Sequence, residues 1–447
     1  MVTAVDDTAP PATSVVVTRG RLYAPLTIAV AYLGGTYLLF LLIGQVWAVS
    51  NLADLSTFIG ATILALCLGY FFKIRSYGET ARAPSITEGE VRSARRWVLM
   101  SSVYFVAFGT ASMIAYGATS LPGVVAAITH PGTAYFAKFR VYELQQATGE
   151  RNLTIQILTI LAVLSTPLIP FSVVYWRRLS LAVRGAALFG ACVYGMFFLF
   201  IGTLKGLGDL LVFGLASHLV MTRGQWRSAR RSTSRRRLVM TAVITLGIFV
   251  GYMAYNQSDR LALSGGAARF EPNPTVAALT NEQFARGLAV VAFYPTHGYQ
   301  GLAYNLQTPF TWTAGLGSSR ALDGYWVQYF GGQGALQSTY PARTELRTGW
   351  PAGRLWATIY PWLASDLTFP GTVVFMGVVG WFMARFWFEA AFLRSRLALL
   401  LFCQVMLLIA YVPANNQIGA GRASLIAFLT LSVAYLKRRV SSGPGAG

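Results

Sequence analysis

Long apolar runs recur along this chain of 447 residues, and they limit its fold more than any other feature. About 20 consecutive apolar residues let one helix cross the ~30 Å hydrocarbon core of a bilayer. Ten runs come near that length, at about 22–45, 52–72, 97–118, 154–175, 181–202, 207–221, 238–255, 367–388, 397–412 and 422–436. This pattern predicts an all-α polytopic membrane protein with about ten transmembrane helices.

The composition agrees with a membrane environment. Hydrophobic residues make up 55% of the chain and charged residues 12%, with a mean hydropathy of +0.51. Soluble globular domains carry about 25% charged residues. The composition therefore excludes a soluble domain, and we expect the lipid bilayer to surround most of the chain.

The basic residues predict the orientation, because Lys and Arg collect in short cytoplasmic loops. With the N-terminus inside, 24 of the 36 basic residues fall on the cytoplasmic side. The densest group, from Arg223 to Arg237, lies between two predicted spans, so the positive-inside bias accounts for it and we expect no nucleic-acid partner. Both termini are predicted to be cytoplasmic, and the net charge of +20 is mostly an insertion signal.

The stretch 256–366 is the one long interruption between the predicted spans. Long loops without regular structure are usually functional or disordered, and this one is rich in aromatic residues that can bury surface. We interpret it as a folded extracytoplasmic cap over an active site. The predicted organisation is then a tail (1–21), seven helices (22–255) with an outer loop at 118–152, the cap (256–366), three helices (367–436) and a second tail (437–447).

Several ionisable residues are predicted at the outer membrane boundary. Lys205 and Asp209 lie four apart beside a short turn; they are either a functional pair or a snorkelling lysine with a local salt bridge. Arg140 and Glu143 share one face of a helix in the outer loop, which is either an interfacial helix or a site where Arg140 reaches an anionic headgroup. Arg422 opens the last span, where a cation opposes the helix dipole and an anion beside it would relieve the conflict.

Short motifs in the outer segments resemble those of a known family. They are Phe139-Arg-Val-Tyr142 followed by Thr148-Gly149, Gly202-Thr-Leu-Lys205, Tyr294-Pro-Thr-His-Gly-Tyr-Gln-Gly-Leu302 followed by Pro309-Phe310 and Gly315-Leu-Gly317, and Leu355-Trp-Ala-Thr-Ile-Tyr-Pro-Trp-Leu-Ala-Ser-Asp366 before Gly371. In this order they resemble the bacterial O-antigen polymerase-type oligosaccharide repeat-unit polymerases. The resemblance covers most of the chain, from about 97 to 436.

The resemblance implies a function and a location. Such proteins are multi-pass glycosyltransferases of the bacterial cytoplasmic (inner) membrane with a GT-C-like architecture. They join polyprenyl-diphosphate-linked oligosaccharides into a surface polysaccharide at the outer face. It also implies a chain-length regulator as a protein partner.

The chemistry of such a reaction points to cations at the membrane boundary. A sugar hydroxyl attacks the anomeric carbon of a second unit, and a polyprenyl diphosphate departs with negative charge. Preorganised Arg and Lys side chains can stabilise that charge. We therefore predict that Arg140, Lys205 and Arg422 bind the diphosphate, and we expect no cofactor and no catalytic metal, because no His/Asp/Glu cluster with ligand spacing is present on the outer side.

The remaining predicted site residues are a base and a set of sugar-binding aromatics. His297 could take the acceptor proton, with Asp366 and Glu143 as carboxylate alternatives. His297 has an equally simple interpretation as a packing residue of the cap. The aromatic side chains predicted to bind sugar are Tyr299, Tyr304, Trp312 and Tyr360.

Two other functions stay open at this point. An O-antigen ligase uses the same lipid-linked donor with a different acceptor, and its sequence barely differs from that of a polymerase. A lipid-linked oligosaccharide flippase or other transporter usually shows repeats of spans with charges at mid-membrane. Here the ionisable residues avoid the span centres, which favours a transferase.

The orientation can be tested by labelling single cysteines. In a variant without Cys67, Cys192 and Cys403, a cysteine at Ser318 or Gln337 should react with an impermeant thiol reagent in intact cells, because the cap is predicted to be outside. A cysteine at Ser232 should react only after permeabilisation. The reverse labelling would overturn the orientation and every site that depends on it.

Overall fold

The chain folds almost entirely into helices. The computed structural model describes residues 13–44, 47–78, 80–83, 85–118, 120–148, 152–224, 226, part of 240–263, 274–279 and 282–441. Two short antiparallel strands, β1 (Thr13–Val16) and β2 (Thr80–Ala83), pair with Thr13 opposite Ala83. The predicted all-α fold thus holds for the described chain apart from this small pairing.

Ten helices precede residue 224. They are α1 (Arg19–Leu22), α2 (Ala24–Leu39, continued by a π-helical turn Phe40–Gly44), α3 (Leu52–Ile74), α4 (Glu88–Ala115), α5 (Leu121–Thr129), α6 (Pro131–Thr148), α7 (Leu153–Ile160), α8 (Leu168–Tyr175), α9 (Leu181–Phe200) and α10 (Lys205–Arg223). Short 3₁₀ turns, Ala162–Ser165 and Trp176–Arg178, flank α8.

Eight further helices are described after residue 273. They are α11 (Pro274–Leu279), α12 (Glu282–Leu306), α13 (Arg320–Phe330), α14 (Tyr340–Thr348), α15 (Tyr360–Ala391), α16 (Arg396–Tyr411), α17 (Gln417–Ala420) and α18 (Arg422–Ser441). A 3₁₀ turn, Leu336–Ser338, precedes α14.

Five helices are long and apolar enough to cross a membrane, which makes the protein an α-helical membrane protein. Among the described residues these are Ala24–Gly44, α3, α4, α9 and α15. A sixth span is formed if the bent pair Leu153–Ile160 and Ala162–Arg178, which meets at 67°, crosses as one unit. Each of the six coincides with a run identified in the sequence.

The other four predicted runs differ in what the structure shows at their positions. The runs 207–221 and 422–436 correspond to α10 and α18, and 397–412 corresponds to the 16-residue apolar helix α16. Most of the run 238–255 lies outside the described residues. The structure therefore supports five or six spans by length and composition.

Helix α4 begins well before the apolar run that predicted it. Thr87 and Glu90 form a capping box, in which each side chain accepts a hydrogen bond of 3.2 Å from the backbone N–H of the other. This arrangement satisfies two backbone donors that a helix otherwise leaves unpaired. Helix α4 therefore includes polar first turns that precede its apolar part.

Helices α3 and α15 pack with their backbones in close approach. A Cβ atom on Gly69 would overlap the carbonyl oxygen of Gly377, and one on Gly380 would overlap that of Leu66. Aromatic pairs extend the contact, with Phe58 and Tyr360 at 5.2 Å between ring centroids. Lipid-embedded helices associate through such small-residue contacts, because lipid gives them no hydrophobic driving force.

The second half of α12 joins this bundle, although the sequence places it in the cap. Tyr299 lies 5.2 Å from Tyr37 and 5.6 Å from Phe40, ring to ring, and its hydroxyl is hydrogen-bonded to Thr36 at 2.9 Å. The amide of Asn51 donates to the carbonyl of Ala303 at 2.9 Å. This part of the predicted cap is therefore built onto the first two spans.

Helix α15 begins before the eighth apolar run and contains one break. Helix α15 is interrupted at Thr368, where φ is 66° and the backbone is not helical. Pro370 lies two residues further on, and its ring cannot fit a regular helix interior. The break separates the aromatic stretch that starts at Tyr360 from the apolar span.

The close approach of α3 and α15 gives a matched test within one helix. Gly69→Ala should lower the apparent Tm in detergent, because overpacking costs about 1–3 kcal/mol. Gly60→Ala is the control, since no atom lies within 4 Å of its Cβ position, and it should leave Tm unchanged or raise it through helix propensity. Equal Tm values for the two variants would contradict the packing.

Candidate functional site

A cavity of about 670 Å³ lies among α4, α7, α9, α10, α16 and α18. Its walls are largely aromatic and include Tyr104, Phe105, Phe108, Tyr194, Phe197 and Phe198. The rings of Phe105 and Tyr194 pack at 4.4 Å between centroids, which ties α4 to α9 along this wall. Such a wall suits an apolar chain or the faces of sugar rings.

The cavity lining includes a cation and an anion from the beginning of α10. The ammonium of Lys205 lies 2.8 Å from Oδ2 of Asp209, so the predicted pair is an ion pair. The hydroxyl of Tyr411, at the end of α16, donates to Oδ1 of Asp209 at 2.8 Å. Lys205 is 38% exposed and Asp209 14%, so the lysine is the more accessible partner.

A second cation reaches the same cavity from the start of α18. Arg422 is a lining residue, as are its neighbours Gly421 and Ala423. Its guanidinium lies over the ring of Tyr325 at 4.8 Å, and Tyr325 belongs to α13 of the predicted cap. The cavity is therefore in contact with the cap through a cation–π pair.

Further links hold the cap segment against the loop before α18. Ser319 donates to the carbonyl of Gly419 at 2.8 Å, and the amide of Asn416 donates to the carbonyl of Ser318 at 2.7 Å. These contacts join the start of α13 to the segment that leads into Arg422. The position of the guanidinium is therefore set by α13 and α17 as well as by its own helix.

Part of the cavity lining is polar and uncharged. Asn152, Gln156 and Thr159 recur at helical spacing along α7, so they share one face of that helix, and all three line the cavity. Gln404 lines it from the middle of α16. The cavity thus combines two cations, one carboxylate, aromatic walls and amide groups, which is a set of groups able to bind a phosphate-bearing sugar or lipid.

The structure therefore brings together two of the three cations predicted to bind a diphosphate. Arg140 lies on α6 with an exposed side chain and is not part of the lining. Glu143, on the same helix, is also exposed. Neither residue shares the cavity with Lys205 and Arg422.

His297 lies in a packed environment on α12. Its ring is stacked between Phe293 at 4.7 Å and Trp356 at 4.8 Å, and Nδ1 donates to the carbonyl of Phe293 at 2.9 Å. Burial lowers the pKa of His297 to about 4, so the ring is neutral near pH 7. This position matches the packing interpretation, and His297 does not line the cavity.

Asp366 holds a loop of the cap together. Its carboxylate accepts hydrogen bonds from the Thr313 hydroxyl and from the backbone N–H groups of Gly315 at 2.9 Å, Gly317 at 3.4 Å and Ser318 at 2.7 Å. Both oxygens are used, which gives this carboxylate a structural function as the anchor of residues 313–318.

The four aromatic residues predicted to bind sugar are in different environments. Tyr299 and Tyr360 are each 1% exposed and pack inside the bundle, so their rings offer no face to a ligand. Tyr304 is partly buried beside Trp350, at 5.6 Å between centroids. Trp312 is 67% exposed and is the most accessible of the four.

Two residues of the site were not singled out from the sequence: Gln404, which lines the cavity, and Tyr325, which lies under Arg422. Gln404 carried a usable signal, since an amide in the middle of an apolar run is costly to bury. Tyr325 carried none, because it is one of many aromatic residues of the cap and only the fold brings it to Arg422. Among the described residues no group of three or more His, Cys, Asp or Glu side chains could hold a metal ion.

Comparison with protein-family models, with curated proteins and with solved structures found no match for this chain. The resemblance to the repeat-unit polymerases therefore rests on the motifs quoted above. The geometry of the cavity is the independent observation on which a function can be based.

The anchoring function of Asp366 can be separated from a chemical one. Asp366→Ala should lower the apparent Tm and expose the 313–318 loop to a chymotrypsin-type protease, because hydrogen bonds to a charged group contribute about 1.5–3 kcal/mol each. Glu345→Ala is the control, since this exposed carboxylate accepts a single backbone hydrogen bond of 3.2 Å from Ala352. A variant with wild-type Tm and protease resistance would show that Asp366 is not the anchor.

Proposed function

We propose that this chain is a membrane glycosyltransferase that polymerises polyprenyl-diphosphate-linked oligosaccharide repeat units into a surface polysaccharide. The proposal includes ten spans with cytoplasmic termini, a GT-C-like architecture and a place in the bacterial cytoplasmic membrane. The reaction takes place at the outer face. A chain-length regulator is the protein partner that this function would need.

The observation that supports the proposal is the meeting of Lys205 and Arg422 in one cavity of a membrane helix bundle. The two residues come from helices distant in sequence, yet each is the first residue of its helix and both line the cavity. Snorkelling alone can bring single cations to a membrane boundary. It does not explain two cations that line the same cavity beside aromatic walls and amide groups.

The two cations differ in how they would hold a diphosphate. Arg422 presents a planar fork that can bind two phosphate oxygens together, and its stacking on Tyr325 restricts its orientation. Lys205 acts as a point charge whose present partner is Asp209. An arriving diphosphate carries more charge than one carboxylate, so it would draw Lys205 toward itself.

In the proposed reaction the acceptor hydroxyl oxygen forms a bond to the anomeric carbon of the donor sugar. The bond from that carbon to the diphosphate oxygen breaks, and the electron pair leaves with the polyprenyl diphosphate. Lys205 and Arg422 stabilise the departing charge. The hydroxyl proton passes to a base; among the described lining residues Asp209 is the acidic one, and His297, Glu143 and Asp366 lie elsewhere.

A ligase would use the same donor site, because the diphosphate leaves in both reactions. A flippase would move the lipid-linked sugar without breaking a bond. The product decides among the three: lengthened lipid-linked polymer, glycan on a different acceptor, or unchanged substrate on the other face of the membrane.

The cationic site can be tested with purified protein and lipid-linked repeat units isolated from cells that lack this chain. Lys205→Ala and Arg422→Ala should each lower the polymerisation rate by about 10²–10³, the scale for loss of one preorganised electrostatic donor. Arg422→Lys keeps the charge but loses the planar fork, so it should remain strongly impaired. The rate is followed by gel separation of polymer lengths.

Two arginines outside the cavity complete the experiment. Arg354→Ala removes an exposed cation of the cap and should cost little, and Arg140→Ala measures whether the site extends to α6. All variants must match the wild type in protein level and Tm. Normal polymer from both Lys205→Ala and Arg422→Ala would show that the diphosphate is held elsewhere.

A further inference from the structure

Gln404 is a buried polar side chain inside an apolar helix. It lies midway along α16, is 4% exposed, and lines the cavity. Its Oε1 atom has no hydrogen-bond partner among the residues that the structure describes. An amide removed from water without a partner destabilises a fold. Packing therefore does not account for a glutamine at this position.

The neighbouring polar residues of the same helix pair are satisfied. Ser217 of α10 donates to the carbonyl of Phe213 at 2.6 Å and lies 3.4 Å from the Sγ atom of Cys403. Cys403 directly precedes Gln404, so hydrogen-bond partners are available on this part of α16. Gln404 is itself a lining residue of the cavity, so a ligand there is the nearest source of the missing partner.

The depth of Gln404 indicates which part of a ligand it would meet. Gln404 precedes Tyr411 by seven residues, and at a rise of 1.5 Å per residue this is about 10 Å along the helix. Tyr411 contacts Asp209, the partner of Lys205. Gln404 therefore lies about that distance along α16 from the residue that contacts this ion pair. Gln156 and Thr159 line the same cavity, so its polar lining includes uncharged side chains as well as the charged ones.

An unpaired carbonyl oxygen needs a hydrogen-bond donor. A phosphate ester at neutral pH offers acceptors only, and a prenyl chain offers neither donors nor acceptors. A saccharide joined to the diphosphate offers hydroxyl groups, and an amino sugar also offers an amide N–H. These are the groups that complement the amide of Gln404.

We propose that Gln404 binds a hydroxyl or amide N–H of the saccharide attached to the diphosphate, and so makes the cavity selective for glycosylated over bare polyprenyl diphosphate. This inference rests on the proposed function, since it takes the diphosphate to be held by Lys205 and Arg422. It adds a subsite for the sugar inside the helix bundle, separate from the aromatic residues of the cap.

The experiment compares two probes in lipid nanodiscs. They are polyprenyl diphosphate alone and the same lipid carrying one N-acetylhexosamine. Wild-type protein should bind the glycosylated lipid more tightly, and Gln404→Met should weaken that binding roughly tenfold, the value of one hydrogen bond. Binding of the bare lipid should not change. The unliganded Tm of Gln404→Met should equal or exceed that of the wild type, because the substitution removes a buried carbonyl oxygen that has no partner among the described residues.

Gln300→Met is the matched control. Gln300 is also a buried glutamine whose amide has no partner among the described residues, and it does not line this cavity. It should therefore leave the affinities for both lipids unchanged.

The outcomes separate this inference from the proposed function. If wild-type protein binds the bare lipid but Gln404→Met keeps full preference for the glycosylated lipid, the sugar subsite is wrong and the diphosphate site stands. A fall in the unliganded Tm of Gln404→Met, beyond that of Gln300→Met, would show that the amide has a structural function and would also overturn it. If wild-type protein binds neither lipid, the proposed function fails and this inference fails with it.

Discussion

The contact between α3 and α15 is the interaction on which the rest of the described bundle depends. In lipid, two helices gain little from apolar contact alone, because the acyl chains offer the same contact. The two backbones can touch here because Gly69, Gly377 and Gly380 have no side chain. The close approach gives van der Waals contact along both helices and fixes their relative position. The second half of α12 and the aromatic residues at the start of α15 then pack on a rigid base.

The cavity is lined by α7, α10, α16 and α18 together with the two long apolar helices α4 and α9. Helices α10, α16 and α18 carry the charges and the buried amide, and none of them is among the five helices most suited to cross a membrane. This division has a physical cause. Long apolar helices are stable in lipid without partners, whereas helices with Lys205, Asp209 or Arg422 near their starts need neighbours or ligands for those groups. The candidate site thus takes its charged groups from helices that depend on their neighbours for stability in lipid.

The sequence predicts the long apolar helices because hydropathy acts locally, and five or six of its ten runs match described helices apolar enough to cross a membrane. It puts Lys205 and Arg422 beside helix starts for the same reason, since helix ends follow from the runs. It fails for Tyr299 and Tyr360, which look like cap aromatics but pack in the bundle, because a helix such as α12 with polar and small residues among its aromatics gives no hydropathy signal. It also cannot tell which carboxylate faces the cations. Asp366 and Asp209 look alike in sequence, and only the fold gives the first to a loop and the second to the cavity.

Two ion pairs of identical spacing show what makes a charged pair functional. Arg385 and Glu389 lie four apart on α15 at 3.3 Å, and Tyr435 joins them, accepting from Arg385 at 2.9 Å and donating to Glu389 at 2.6 Å. Tyr411 likewise donates to Asp209 beside Lys205. The first pair is buried on both sides and links α15 to α18, so a change of partner would leave a charge unpaired inside the protein. The second pair borders the cavity, and its lysine is 38% exposed while Asp209 keeps its hydrogen bond from Tyr411. The two pairs therefore share their spacing but differ in access: a ligand in the cavity can reach Lys205, whereas Arg385 and Glu389 are largely buried and share Tyr435.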